Sequence, residues 1–126
     1  MDLLVERPPR TIHDRYYDTP AGDLGRHDVA LRLRTTDDRT ALTLKGPPEI
    51  LEDGGLARFE LEEPYSIRAL ATVVGKLRGW GIELREVATD ERTAPEMALE
   101  ATGLRRIHQR TVHRVVRDAV ADAPHR

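Results

Sequence analysis

The chain has 126 residues, of which 39% are hydrophobic and 33% charged, with 20 Lys and Arg set against 22 Asp and Glu. That length suits one domain, and the apolar share permits a buried core, although aromatics are only 4% and Leu, Val, Ile and Ala must supply most of its volume. A formal net charge of −2 argues against general nucleic-acid binding, the absence of Cys excludes disulfides and thiolate chemistry, and no apolar run approaches the ~18 residues of a membrane span.

Met1 to Pro9 lacks the long apolar region of a secretory signal, so a soluble, cytoplasmic protein is expected. Thr11 to Asp18 is rich in β-formers and is followed by the turn-forming run Asp18-Thr19-Pro20-Ala21-Gly22-Asp23, which predicts a strand and then a loop. Tyr16 and Tyr17 must face opposite sides of that strand, and packing is the simpler role for each. Val29 to Thr35 alternates, with Val29, Leu31 and Leu33 opposite Ala30, Arg32 and Arg34. Asp37-Asp38-Arg39 then turns into Thr40 to Gly46, where Leu42 and Leu44 alternate with Ala41, Thr43 and Lys45, and the two segments predict an antiparallel hairpin.

Pro47 to Gly55, with two prolines and a Gly-Gly pair, reads as an irregular loop. Leu56 to Glu63 alternates again, with Phe59 and Leu61 opposite Arg58, Glu60 and Glu62, and Pro64 ends it. Ser66 is the expected N-cap of an amphipathic helix carrying Ile67, Leu70, Val73, Val74 and Leu77, with Trp80 as a core anchor at its end. Ile82 to Val87 suggests a short strand, and Ala94 to Ala101 a short helix entered through Pro95 and stopped by Gly103. Leu104 to Val116 alternates without a cleanly apolar face. The two ends, residues 1–10 and 117–126, are expected to fray around a single domain.

The strands share one feature: charges recur at alternate positions, where side chains point to the same side of a sheet. The sets are Arg32 with Arg34, Arg58 with Glu60 and Glu62, Arg106 with Arg110, and Lys45. Two readings fit. The charges form the solvent face of an ordinary helix-backed sheet, or the sheet curls and they line a cavity. Converging Arg and Lys would suit phosphate oxygens, and carboxylates at alternate positions would suit Mg²⁺ or Mn²⁺. His27, His108 and His113 show no metal-ligand spacing with a third partner, and phosphate-loop, dinucleotide and serine-hydrolase signatures are absent from the sequence.

Tyr16-Tyr17-Asp18-Thr19-Pro20, Ala30-Leu31-Arg32-Leu33-Arg34, Leu42-Thr43-Leu44-Lys45-Gly46-Pro47 and Arg58-Phe59-Glu60-Leu61-Glu62, in that order, resemble the CYTH superfamily of triphosphate tunnel metalloenzymes. The likeness extends in part to His108-Gln109-Arg110-Thr111-Val112-His113, where the family has Lys-x-Arg-x-x-Tyr and only Arg110 is retained. The resemblance implies an α+β fold, mostly an antiparallel sheet curled into a β-tunnel with one or two packing helices. It implies phosphate ligands at Arg32, Arg34, Lys45, Arg58 and Arg110, metal ligands at Glu60 and Glu62, and Mg²⁺ or Mn²⁺ as cofactor. Glu60, Glu62 and Lys45 would be the catalytic set of a hydrolase acting on inorganic triphosphate or another triphosphate-containing small molecule, with adenylyl cyclase a minor variant.

The family's first strand, Glu-x-Glu-x-Lys, has no counterpart in Glu6-Arg7-Pro8-Pro9, and the further strands expected after His113 are not matched. The expected tunnel is therefore incomplete. A module that binds polyphosphate or nucleotide without turnover, or an inactive tunnel fragment, is the alternative. Exposed strand edges would also favour a homodimer.

Overall fold

The computed structural model describes residues 4–6, 10–114 and 117–119. In chain order the elements are β1 (Leu4–Glu6), β2 (Arg10–Asp18), α1 (Asp23–Arg26), β3 (Ala30–Thr36), β4 (Arg39–Ile50), β5 (Leu56–Pro64), α2 (Ile67–Gly79), α3 (Pro95–Ala101), β6 (Arg105–Arg114) and β7 (Arg117–Ala119). The class is α+β. Five strands form one antiparallel sheet in the order β5-β4-β3-β2-β6.

Alternation in the sequence becomes sidedness in the sheet. Leu31, Leu33, Leu42 and Leu44 are essentially inaccessible on one face, where Tyr17 joins them and Phe59 and Leu61 pack from β5. Leu24 of α1, Ala69, Leu70, Val73, Val74 and Leu77 of α2, Ala98 and Leu99 of α3, and Val29, Ile82 and Leu104 complete that core. Clustering these side chains away from water, at about 25 cal/mol per Å² of apolar surface, is the main stabilising term. Ser66 accepts a hydrogen bond from the Ala69 N–H at 2.9 Å, as its position before the apolar period requires. Pro95 opens α3, and Gly103 follows it at a positive φ of 107°.

All three helices thus bury residues in this core, and among the described residues the opposite face, with its charged residues, carries no helix. The sheet does not close into a barrel: β5 and β6 lie at its two ends, and neither is paired on its outer side among the described residues. Where fraying is expected at the ends, Leu4–Glu6 and Arg117–Ala119 form a two-stranded antiparallel ladder.

Other expectations need correction. Pro47 to Ile50 is strand, not loop: the ladder with β5 shifts between Lys45 and Pro48 and resumes at Pro48↔Arg58, Glu49↔Ala57 and Ile50↔Leu56. The shift absorbs the prolines, which have no N–H to give a regular ladder. The loop proper is shorter, closed by the Leu51 N–H to the Gly55 carbonyl at 2.7 Å. Ile82 to Val87 forms no strand; Ile82 is a core residue and the Arg85 N–H donates to the Thr102 carbonyl. Trp80 packs against the core as expected, partly buried, with its ring tilted on Phe59 and close to Gly46. Val115 and Val116, the end of the alternating run, lie outside the described residues. No helix of the described residues is long and apolar enough to cross a membrane.

Candidate functional site

The polar face is assembled by register. Across the sheet, Lys45 is opposite Glu60 and Thr43 opposite Glu62 on β4 and β5, Arg32 is opposite Thr43 on β3 and β4, and Arg34 and Arg110 both flank Asp14 from β3 and β6. Residues directly opposite one another in a ladder share a face. Arg32, Arg34, Lys45, Glu60, Glu62 and Arg110, all expected in one site, therefore do share one surface, with the carboxylates on the edge strand β5 and Arg110 on the edge strand β6.

Asp14 lies at the centre of the cationic half, and sequence reasoning did not single it out. Its carboxylate is 1% exposed and accepts two hydrogen bonds from Arg34, from Nε at 2.7 Å and from a terminal nitrogen at 2.8 Å, while Arg110 approaches to 3.6 Å. The Arg34 hydrogen bond, aided by the charges of Arg34, Arg32 and Arg110, outweighs burial and holds the Asp14 carboxyl below the usual carboxylate value of 3.8. The same pairing raises the Arg34 guanidinium. Two arginines thus share one anion and keep net positive charge.

Arg32 is placed differently. One of its terminal nitrogens donates to the Thr43 hydroxyl at 3.1 Å, and its Nε is buried with no hydrogen-bond partner. A buried donor left unpaired costs about 1–3 kcal/mol. Tyr16, the other tyrosine of the pair, stays on this face beside His108, with ring centroids 5.8 Å apart, while Tyr17 is buried in the core.

Arg58, exposed on β5, is engaged with backbone carbonyls. Its guanidinium donates to the carbonyls of Gly46 and Asp28, each at 2.6 Å, so it fastens the shifted segment of β4 to the loop before β3. Asp18 behaves as its sequence context implies: its carboxylate accepts the N–H groups of Thr19, Leu24 and Gly25 at 2.6, 2.8 and 3.1 Å and folds the loop around α1.

At the hairpin end of this face lies a cleft of about 1020 Å³ whose charged lining is mixed, Arg10, Arg34 and Arg39 with Asp37, Asp38 and Glu62. A separate cleft of about 790 Å³ contains none of the expected site residues; its arginines, Arg78, Arg85 and Arg105, donate to the carbonyls of Leu84, Ala101, Glu100 and Leu104. The first is the cleft that contains expected site residues, Arg34 and Glu62.

The resemblance implies a divalent metal held by Glu60 and Glu62. Glu60 and Glu62 are exposed at alternate positions of β5, and no group of three His, Asp or Glu side chains among the described residues could enclose a cation. Mg²⁺ commonly takes one or two carboxylates and fills its remaining positions with water and substrate phosphate oxygens. The pair fits a cation completed by a phosphate chain, and does not fit a self-sufficient protein metal centre.

The profile of the CYTH domain matches residues 5–120. No functionally curated protein sequence matches the chain. Among solved structures, similarity is found to a candidate adenylyl cyclase from Hippeastrum described as having a dominant triphosphatase activity, at 24% identity and a TM-score of 0.46, covering 87% of this chain and 54% of that one. A candidate adenylate cyclase from Bacillus halodurans is similar at 16% identity and a TM-score of 0.48, covering 90% and 59%. A protein from Pyrococcus horikoshii is similar at 18% identity and a TM-score of 0.40, covering 94% and 54%. The chain spans a little over half the length of each of these structures.

Proposed function

Because the chain belongs to the CYTH domain family, we propose that its polar sheet face binds the phosphate chain of a triphosphorylated small molecule and releases the terminal phosphate with Mg²⁺ or Mn²⁺. The observation that carries this reading is the register that sets Arg32, Arg34, Lys45 and Arg110 on one face with Glu60 and Glu62. Phosphate oxygens are natural acceptors for such a group of cations, and guanidinium forks match phosphate geometry.

In this reading each residue has a physical task. Arg32, with Thr43 holding one arm of its guanidinium, grips the phosphate chain. Arg34 and Arg110 are pre-oriented by Asp14, so little side-chain freedom is lost when the anion arrives. Lys45 adds a mobile point charge opposite the carboxylate strand. This cationic wall stabilises charge on the transferred and leaving oxygens. Glu60 and Glu62 would hold the divalent cation together with the substrate, and the cation would supply charge neutralisation and a more acidic water. Arg58, already engaged by two carbonyls, keeps the β4 bulge in place rather than meeting substrate.

The lack of a third metal-ligating side chain around Glu60 and Glu62 among the described residues supports a second reading, in which the face captures triphosphate or polyphosphate without turnover. The deciding experiment is phosphate release from inorganic triphosphate with Mg²⁺ or Mn²⁺, alongside the E60Q/E62Q variant. Turnover that vanishes in the variant upholds the hydrolase. Salt-sensitive binding without turnover upholds the capture module, and neither binding nor turnover overturns both.

A further inference from the structure

We infer that two copies of the chain associate edge to edge, with β5 of one running parallel to β6 of the other, so that two open sheets enclose one polar interior. The inference concerns assembly and does not rest on the triphosphate reading.

The two edges of the sheet are chemically opposite. β5 exposes Glu60, Glu62 and Glu63, while β6 runs from Arg105 to Arg114 through Arg106 and Arg110 with no acidic residue. Neither strand is paired on its outer side among the described residues, and unpaired edges with backbone donors and acceptors are templates for another strand. Each edge strand also carries an uncovered apolar side chain, Leu56 at 73% exposure and Ile107 at 63%.

Charge decides which edges meet. A symmetric β5–β5 seam would set Glu60 and Glu62 against their own copies, and a β6–β6 seam would do the same with Arg110. Like charges directly opposite in a ladder are destabilising, whereas opposite charges stabilise. Only β5 against β6 brings acid to base at every seam.

Direction and closure follow from topology. Every neighbour in the sheet is antiparallel, so β5, β3 and β6 point the same way. A two-fold axis along the strands preserves direction, makes both seams parallel, and turns both polar faces inward. The spacing also agrees: Glu60 and Glu62 are two apart on β5, and His108 and Arg110 are two apart on β6 on that same face. Such head-to-tail contacts close into a ring when the rotation is half a turn.

The test is light scattering of the full chain at defined concentration, for the wild type, for E60K/E62K, for H108E/R110E, and for an equimolar mixture of the two variants. The wild type is expected at twice the chain mass and to dissociate as salt rises. Each variant alone makes both seams repulsive and is expected to be monomeric with an unchanged far-ultraviolet spectrum. Their mixture restores opposite charges at both seams and is expected to form a one-to-one dimer. A monomeric wild type, a dimeric H108E/R110E, or a mixture that stays monomeric overturns the inference. Should a reversal variant fail to fold, E60Q/E62Q and R110Q replace it, with weakened self-association expected and unchanged self-association overturning the proposal.

Discussion

Asp14 on β2 and Arg34 on β3 are directly opposite in register and joined by two hydrogen bonds of 2.7 and 2.8 Å. The carboxylate is buried while the guanidinium is 34% exposed, so the pair anchors a cation at a surface that keeps one side open. Replacing Asp14 by Asn retains its shape and removes its charge. Stability should fall by about 1.5–3 kcal/mol, the range for hydrogen bonds to charged groups. Urea unfolding measures this, and a midpoint equal to the wild type would show that the pair contributes nothing.

The same pair sets an acid limit. Arg34 lowers the folded-state pKa of Asp14 below 3.8, so the folded protein binds fewer protons than the unfolded chain. The stabilisation is fully present above the unfolded carboxylate value of about 3.9 and is lost as pH falls through the lower folded value. The difference in unfolding free energy between wild type and D14N is expected to be level near neutral pH and to shrink below about pH 4. A difference that instead grows on acidification would contradict the assignment.

Gly46 is required by packing. A Cβ there would sit 2.7 and 2.8 Å from Cη2 and Cζ2 of Trp80 and 3.0 Å from the Phe59 Cβ. G46A is expected to cost about 1–3 kcal/mol, the usual penalty for overpacking. Gly75, inside α2, is the opposite case, because a methyl group added there would meet nothing within 4 Å. There G75A should stabilise by about 0.5–1 kcal/mol. Thermal unfolding of the two variants should move in opposite directions.

Arg32 and Arg58 separate binding from architecture. R32Q should weaken triphosphate binding by about 10- to 100-fold, the equivalent of ~1.5–3 kcal/mol of charge-assisted hydrogen bonding, with little change in unfolding. R58Q should do the reverse, because its donors hold the Gly46 and Asp28 carbonyls. Calorimetric titration at fixed salt, paired with urea unfolding, distinguishes them. Equal binding losses from both would contradict the contrast.

The period of two made β3, the first part of β4, and β5 legible, because Leu31, Leu33, Leu42, Leu44, Phe59 and Leu61 alternate with polar residues on strands covered on one side only. β2 was harder to resolve by face. Arg15 occupies the core side of that strand, 5% exposed and bonded to Glu96 at 2.5 Å, so charge appears on both faces and Asp14 does not stand out. The extension of β4 through Pro47 and Pro48 was hidden because a bulge tolerates residues that a regular ladder rejects. The sheet order was also beyond local pattern: β6 docks on β2 through pairs such as His13 and Gln109, 96 positions apart. That long-range pairing brings Arg110 beside Asp14, and no spacing within either strand encodes it.

Trp80 is the only tryptophan in the chain. Its ring lies against Gly46, the residue next to Lys45, while its backbone N–H closes the end of α2 on the carbonyls of Lys76 and Leu77. The protein therefore carries an intrinsic fluorophore that spans the helix layer and the strand bearing Lys45. Changes in β4 can be followed by emission wavelength and quenching without an added label.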